Sequence, residues 1–147
     1  MIILEMSSIL FARTDEEIQR CFPVMAELRP DLRPDEFVAR VRRQQMQHGY
    51  GLVFLEQEGA IQAVSGFRVS ECLAWGKFCY VDDLVTTTSA RGQGCGQRLF
   101  DWLLAHARGQ ECEQFHLDSG VQRFAAHGFY LKNRLHIVCH HFGRVLS

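Results

Sequence analysis

The chain of 147 residues lacks the features that mark several large classes of protein. Its formal net charge is −1, so there is no excess of basic residues to attract nucleic acid or an anionic membrane surface. No apolar run approaches the roughly 20 residues of a membrane-spanning helix. The six cysteines include no C-x-x-C pair, which favours reduced thiols over a disulfide framework. We therefore expect neither nucleic acid nor membrane as a partner.

Segments that separate domains or direct export are also missing. No repeat, low-complexity segment or Pro/Gly/Ser-rich linker interrupts the sequence, so we expect residues 1–147 to form a single domain. The N-terminus, Met1 to Glu5, lacks the basic region and the long apolar core of a signal peptide, which predicts a cytoplasmic protein. Hydrophobic residues make up 47% of the chain and charged residues 22%, as is usual for a globular domain.

Apolar periodicity and turn signals predict the secondary structure. Thr14 and Glu17 have the spacing of a capping box, so a helix should begin there and run towards Arg29, bent or split at Pro23. Strands are predicted at 8–12, 52–55, 63–67, 77–86, 114–117 and 135–142, and further helices at 34–49, 97–108 and 121–132. The resulting order is β-α-α-β-β-β-α-β-α-β. It predicts an α/β fold with a mixed, mostly antiparallel central sheet flanked by helices on both faces.

The glycine-rich turn at 91–96, Arg-Gly-Gln-Gly-Cys-Gly, is the most informative segment. The first N–H groups of a helix have no partner within it, and glycines let a phosphate approach them closely. The spacing differs from the dinucleotide fingerprint G-x-G-x-x-G, and no Lys-Ser or Lys-Thr follows as a P-loop requires. A tight strand-to-helix connection without a ligand is the alternative. The candidate pyrophosphate-binding residues are Arg91, Gly92, Gln93, Gly94, Cys95, Gly96 and Gln97.

The turn and a later tyrosine together resemble one known family. Arg91-x-x-Gly94-x-Gly96 fits the pattern [QR]-x-x-G-x-[GA], which resembles the acyl-CoA-binding motif of the GNAT (Gcn5-related N-acetyltransferase) superfamily. The segment from Ala126 to Tyr130 is similar to the A-x-x-x-Y of a later family helix, although Arg134-Leu135 replaces the usual Gly-Phe of the next turn. The resemblance implies the acyl-CoA N-acyltransferase fold, acetyl-CoA as co-substrate, no metal, and direct attack by an amine. A non-catalytic acyl-CoA-binding sensor or interaction module on this fold is the alternative.

The resemblance also implies where the cofactor arm would lie. The pantetheine would pair, like an added strand, with the backbone of Leu84, Val85 and Thr86, and the splaying that this requires usually needs a β-bulge. An N–H of the same segment would stabilise the developing oxyanion. Ser119 would lie beside the cofactor arm or simply cap the following helix. Arg123 would reach the cofactor or face solvent.

Two proton transfers need residues of their own. An alkyl amine is neutral in only about one part in a thousand at pH 7, so a base is useful. Asp82 is the preferred base or amine-binding group and Asp83 the second, unless both only hold a loop or an arginine. Strand alternation puts the two on opposite faces. Tyr130 matches the family's general acid, which protonates the departing thiolate, unless it is a core tyrosine.

Three histidines lie in the last predicted strand, so a metal site has to be considered there. His136 and His140 share one face of that strand, whereas Cys139 and His141 point the other way, so we expect no shared metal ion. The acceptor is a small-molecule or peptide amine that the sequence does not identify. A homodimer is the expected assembly if the chain associates, because two-fold pairs are the commonest oligomers.

Overall fold

The computed structural model describes residues 7–147 of the chain. Its elements are β1 (Ser7–Phe11), α1 (Asp15–Leu28), α2 (Phe37–His48), β2 (Tyr50–Gln57), β3 (Ala60–Cys72), β4 (Gly76–Thr86), α3 (Cys95–Gly109), β5 (Gln114–Leu117) and α4 (Phe124–Lys132). The chain divides into two compact units, the first ending at His116 and the second running from Leu117 to Ser147. In the described residues, no helix is long and apolar enough to cross a membrane.

Five strands form one sheet in the order β1-β2-β3-β4-β5, and the first three neighbouring pairs are antiparallel. The β2–β3 hairpin turns at Glu58 and Gly59, whose φ angles of 53° and 80° are both positive. A two-residue hairpin turn of this kind requires such angles, and glycine adopts them without strain. The predicted antiparallel meander is therefore confirmed.

Helices cover both faces of this sheet. Leu52 and Phe54 alternate along β2 and pack with α1 and α2 in the main core. On the opposite face, Phe67 of β3 makes edge-on ring contacts with Trp102 and His106 of α3. Since successive strand side chains point to opposite faces, one strand can supply both cores. The predicted α/β fold with a mixed sheet between helices is confirmed.

Helix α1 begins where the sequence predicts. The Thr14 side chain accepts from the Glu17 backbone N–H, and the Thr14 N–H donates to the Glu17 carboxylate at 3.0 Å, which completes the capping box. The sequence predicts that Pro23 bends or splits this helix, and the split does not occur, because α1 runs unbroken from Asp15 to Leu28. Proline removes one hydrogen bond from a helix, and the buried side chains of Val24 and Met25 hold the following turn in the core.

Two predictions for the second unit are wrong. Helix α4 begins at Phe124 rather than 121, because the Arg123 N–H first closes a turn on the Gly120 carbonyl. No strand forms at 135–142 within the described residues. A strand needs a hydrogen-bonded neighbour, and this segment has apolar residues on both of its alternating sides. Ile137 and Phe142 are 80% and 92% exposed.

The end of α4 shows what replaces the family's usual glycine. Arg134 adopts a φ of 67°, and the Leu135 N–H donates to the Tyr130 carbonyl at 3.0 Å. A left-handed residue at this position satisfies carbonyls that the helix end leaves unpaired. Arg134 thus keeps the backbone path that a glycine would take, although the left-handed conformation costs a non-glycine residue about 1 kcal/mol.

Candidate active site

The glycine turn presents a row of backbone donors. Gly94 caps α3 without any side-chain hydrogen bond, and the helix begins at Cys95, earlier than predicted. The first N–H groups of α3 therefore have no partner inside the helix. Gly92 and Gly94 have φ angles of 79° and 84°, which favour glycine strongly. The turn consequently has the backbone of an anion-binding site at a helix N-terminus.

The side chains around this turn leave its donors accessible. A Cβ added to Gly92 or to Gly94 would meet no atom within 4 Å, so the space above both residues is open. Cys95 is 2% exposed and packs in the core, so only its backbone N–H can reach a ligand. The Gln97 amide donates to Asp101 at 2.9 Å. Arg91 is exposed, and its Nε lies 3.4 Å from the Thr86 carbonyl.

Glu27 of α1 holds the chain immediately before the turn. Its carboxylate accepts from the Thr87 hydroxyl at 2.6 Å and from both the N–H and the hydroxyl of Thr88 at 2.9 and 2.6 Å. The hydrogen bond from Thr87, and to a smaller extent that from Thr88, lowers the pKa of Glu27. The contact ties the end of α1 to the entry of the glycine turn across 60 residues of sequence.

Strand β4 contains the expected β-bulge. Gly66 of β3 pairs with Asp83, whereas the next residue, Phe67, pairs with Val81, so Asp82 is the extra residue. A bulge locally interrupts the ladder and re-aims the neighbouring side chains. The predicted bulge is thus confirmed and lies at the first of the two aspartates.

The bulge corrects the expectation that the aspartates lie on opposite faces. Asp82 accepts two hydrogen bonds from Arg68, at 2.5 and 2.9 Å, and Asp83 accepts one from the Tyr50 hydroxyl at 2.8 Å. Tyr50 and Arg68 are direct cross-strand partners of β2 and β3, so their side chains share one face. Strict alternation fails here because Asp82 is one residue too many for the pleat.

Side chains also satisfy the carbonyls at the bulge. The buried Ser65 hydroxyl donates to the Asp83 carbonyl at 2.7 Å. Arg29, the C-cap of α1, donates from Nη2 to the Asp82 carbonyl at 2.8 Å and from Nε to the Asp83 carboxylate at 2.9 Å. Buried carbonyls without partners are destabilising, so these contacts hold the bulge in one conformation.

Tyr50 is a fixed donor in this network. Burial, followed by the negative charge of Asp83, raises the pKa of Tyr50 well above its ordinary value. Its hydroxyl therefore stays protonated and donates to the carboxylate. Gly66 makes room for the ring, because a Cβ there would overlap the Tyr50 hydroxyl.

After the bulge, one edge of β4 has no strand beside it. β5 begins near the start of β4, where the Glu113 N–H donates to the Lys77 carbonyl at 2.7 Å. The four residues of β5 cannot extend past the bulge, whereas β4 continues to Thr86. Leu84 and Val85 pair with β3 on their other edge. Among residues 7–147, no strand occupies the edge of β4 that an extended ligand would use.

The chain matches known proteins over most of its length. The sequence profile of the acetyltransferase (GNAT) family matches residues 11–134. The chain belongs to the GNAT family. It is 33% identical over 115 residues to the uncharacterized N-acetyltransferase YhdJ of Bacillus subtilis (strain 168), covering 78% of this chain and 81% of that protein. It is therefore an N-acetyltransferase that depends on acetyl-CoA, and the non-catalytic alternative is not supported.

Solved structures share the GNAT fold. The transcriptional regulator from Bacillus halodurans C-125 superposes with a TM-score of 0.85 at 18% identity, covering 96% of this chain and 100% of that one. A putative acetyltransferase from Agrobacterium tumefaciens str. C58 has a TM-score of 0.81 at 20% identity, covering 95% and 99%. At these identities the likeness concerns the fold alone.

The second unit of this GNAT protein contains the remaining predicted residues. Burial raises the pKa of Tyr130 in α4, while the charge of Arg123 opposes that shift, so the phenol is protonated at neutral pH. Ser119 has a buried hydroxyl with no hydrogen-bond partner among the described residues. Arg123 is exposed and caps α4 in place of Ser119.

The histidines and cysteines form no obvious metal centre. Within residues 7–147, no group of three or more histidine, cysteine or acidic side chains is arranged to hold a metal ion. His141 Nδ1 lies 3.5 Å from the Asp118 carboxylate. All six cysteines are free, and burial raises the pKa of Cys21 and Cys79 to about 12, so these thiols stay protonated.

Sequence reasoning missed the partners of the two aspartates. Arg29 is separated from Asp83 by 54 residues, and Arg68 is separated from Asp82 by 14. Both arginines resemble ordinary surface residues in the sequence. The adjacent aspartates in an otherwise apolar strand were the only available signal that compensating cations should exist.

Proposed function

We propose that this GNAT enzyme acetylates a primary amine by direct attack at the β4 bulge, with the CoA pyrophosphate held by the glycine turn. The observation that supports this most strongly is the arrangement of β4. Two carboxylates lie at its bulge, an uncovered strand edge follows, and the uncapped N-terminus of α3 comes next in the chain. A pantetheine arm bound along that edge would connect a phosphate at the turn to a thioester at the bulge.

The donor end would rely on the backbone. Pyrophosphate oxygens would accept from the N–H groups of residues 92–96, with Arg91 adding charge and the α3 dipole adding partial positive charge. The pantetheine amides would pair with Leu84, Val85 and Thr86 along the uncovered edge. Ser119 is a further candidate, because its hydroxyl is buried without a partner among the described residues.

The acceptor end would rely on the carboxylates. Asp82 is the better candidate for base or amine-binding group, since its side chain is 22% exposed and that of Asp83 is 13% exposed. Each carboxylate oxygen receives one donor in the structure and has a second lone pair for an amine or a water molecule. The ion pair with Arg68 fixes the position of the Asp82 carboxylate at the bulge.

The chemistry then balances in one displacement. The neutral amine nitrogen forms a bond to the acetyl carbonyl carbon, an N–H near Leu84 or Val85 stabilises the oxyanion, and the C–S bond breaks. The amine proton passes to Asp82, directly or through water, and Tyr130 protonates the departing thiolate. The elevated pKa of Tyr130 ensures that it carries the proton at neutral pH.

The test is release of free CoA thiol from acetyl-CoA in the presence of amines. We expect thiol release that depends on the amine and forms one amide per thiol, detected by mass spectrometry. Thiol release without amide formation, or no turnover of any amine by protein that binds acetyl-CoA, would contradict the proposed function. Single-domain organisation, homodimerisation and a cytoplasmic location stay predictions.

A further inference from the structure

We propose that the acceptor is a zwitterionic amine, in which a carboxylate or phosphate lies near the amino group, and that Arg29 and Arg68 bind its anionic part. This inference rests on the proposed function and concerns the same site. It begins from the two arginines that accompany the aspartates at the β4 bulge.

The charges at the bulge cancel. Asp82 and Asp83 carry two negative charges, and Arg68 and Arg29 are paired with them at 2.5 and 2.9 Å. A polyamine carries several positive charges and requires an excess of negative charge at its binding site. A neutral cluster instead suits a ligand whose own charges cancel, because each ligand charge then finds a group of opposite sign.

Both arginines keep unused donors. A guanidinium has five N–H donors, and the structure engages only Nε and Nη2 of Arg29 and of Arg68. Among residues 7–147, no hydrogen-bond partner is found for Nη1 of either side chain. The free edge of a guanidinium matches a carboxylate or phosphate in geometry as well as in charge.

The arginines are also close together and accessible. Both contact Asp82, Arg68 through its carboxylate and Arg29 through its carbonyl. Their side chains are 42% and 49% exposed, whereas the aspartates beneath them are 22% and 13% exposed. A ligand from solvent would therefore meet guanidinium groups first, with carboxylates behind them for the amine. Because each guanidinium is hydrogen-bonded directly to an aspartate, an anion bound to an arginine and an amine bound to a carboxylate would lie close together.

The test compares acceptors that differ only in the anionic group. The pairs are lysine against cadaverine for a carboxylate, and phosphoethanolamine against ethanolamine for a phosphate. We expect kcat/KM to be at least tenfold higher for the zwitterion in one pair, and the pair that responds identifies the anion. Equal values in both pairs, or a preference for cadaverine and ethanolamine, would overturn the inference while leaving amine acetylation intact. Absence of turnover with all four, in protein that acetylates an amine without a neighbouring anionic group, would overturn the inference alone.

A variant assigns the preference to its residue. Arg29→Gln should lower the ratio of kcat/KM between the zwitterion and its matched amine at least tenfold, mainly through KM. The ratio is informative even if the variant loses general activity, because both acceptors share that loss. Arg29→Lys should give an intermediate ratio, since lysine keeps the positive charge but lacks the pair of parallel N–H donors of a guanidinium. Arg33→Gln is the matched control, because Arg33 pairs with Asp35 at the surface, and it should leave the ratio unchanged. An unchanged ratio in Arg29→Gln would contradict the assignment.

Discussion

The glycine turn and the β4 bulge differ in the groups that they offer to a ligand and in how many parts of the chain supply those groups. The turn at 91–96 offers backbone N–H groups from one contiguous segment, and its side chains face outward or pack in the core. The bulge offers charged side chains brought together from α1, β3 and β4. A backbone site accepts any residue that permits its φ angles, whereas a side-chain site changes specificity with a single substitution. One end of the site is therefore suited to a constant cofactor and the other to a variable acceptor.

The largest expected effect is at the donor end. Gly94→Arg should abolish measurable acetyl-CoA binding, at least a hundredfold loss of affinity, because φ is 84° there and the new side chain would occupy the space above the turn. Isothermal titration calorimetry measures it. Gly109→Arg is the control, since Gly109 ends α3 with no atom within 4 Å of an added Cβ. Wild-type affinity in Gly94→Arg would remove the turn from cofactor binding.

Tyr130→Phe should separate chemistry from cofactor binding. Loss of the phenol proton should lower kcat roughly a hundredfold, at the lower end for a general acid, while the acetyl-CoA dissociation constant stays within about twofold. Steady-state kinetics and calorimetry provide the two readouts. An unchanged kcat would show that another group, or water, protonates the thiolate.

Gly66→Ala tests how the acceptor end is built. The added Cβ would overlap the Tyr50 hydroxyl, which is buried and donates to Asp83. We expect a loss of about 1–3 kcal/mol in the free energy of unfolding, as for other overpacked sites, together with lower activity. Gly128→Ala, at an open position in α4, is the control and should stabilise by roughly 0.5–1 kcal/mol. Urea denaturation measures the free energy of unfolding of each variant. Equal stability of Gly66→Ala and wild type would argue against the packing of Tyr50 on Gly66.

The smallest expected effect concerns the contact between Glu27 of α1 and the residues that precede the glycine turn, Thr87 and Thr88. Hydrogen bonds lower the pKa of Glu27 below its unfolded value of about 4.3. The stabilisation is therefore present above that value and lost as pH falls through the lowered pKa. Glu27→Gln should cost less than about 1 kcal/mol at pH 7, because the group is exposed, and the difference from wild type should shrink as pH falls through the lowered pKa of Glu27. Glu71→Gln is the control. A difference that persists at low pH would contradict the carboxylate's role.

The contrast between the two regions explains which parts were predictable. The turn depends on neighbours in sequence, so Arg91, Gly94 and Gly96 sufficed to predict the strand, turn and helix around them. The bulge depends on Tyr50 and Arg29, which meet Asp83 across 33 and 54 residues. No local pattern reports such pairs, and a single extra residue reversed the expected facing of Asp82.

The errors at the C-terminal end have a similar origin. The segment 135–142 has β-forming residues, but a strand exists only where another strand offers its edge. Local propensity cannot supply that partner. Arg134 shows the converse, because it adopts the left-handed conformation of the missing glycine when the helix end requires it.

The central claim is that the acceptor amine reacts beside Asp82, whereas the pyrophosphate and pantetheine of acetyl-CoA are held by the glycine turn and the uncovered edge of β4. Its most direct test is Asp82→Asn, measured as kcat/KM for the best amine and as the dissociation constant of acetyl-CoA, with Asp35→Asn at the surface as control. We expect kcat/KM at pH 7 to fall roughly a hundredfold, as for loss of a general base, with partial recovery at higher pH as the free amine becomes more abundant. Acetyl-CoA affinity should stay within about twofold of wild type. Wild-type kcat/KM in Asp82→Asn would contradict the account.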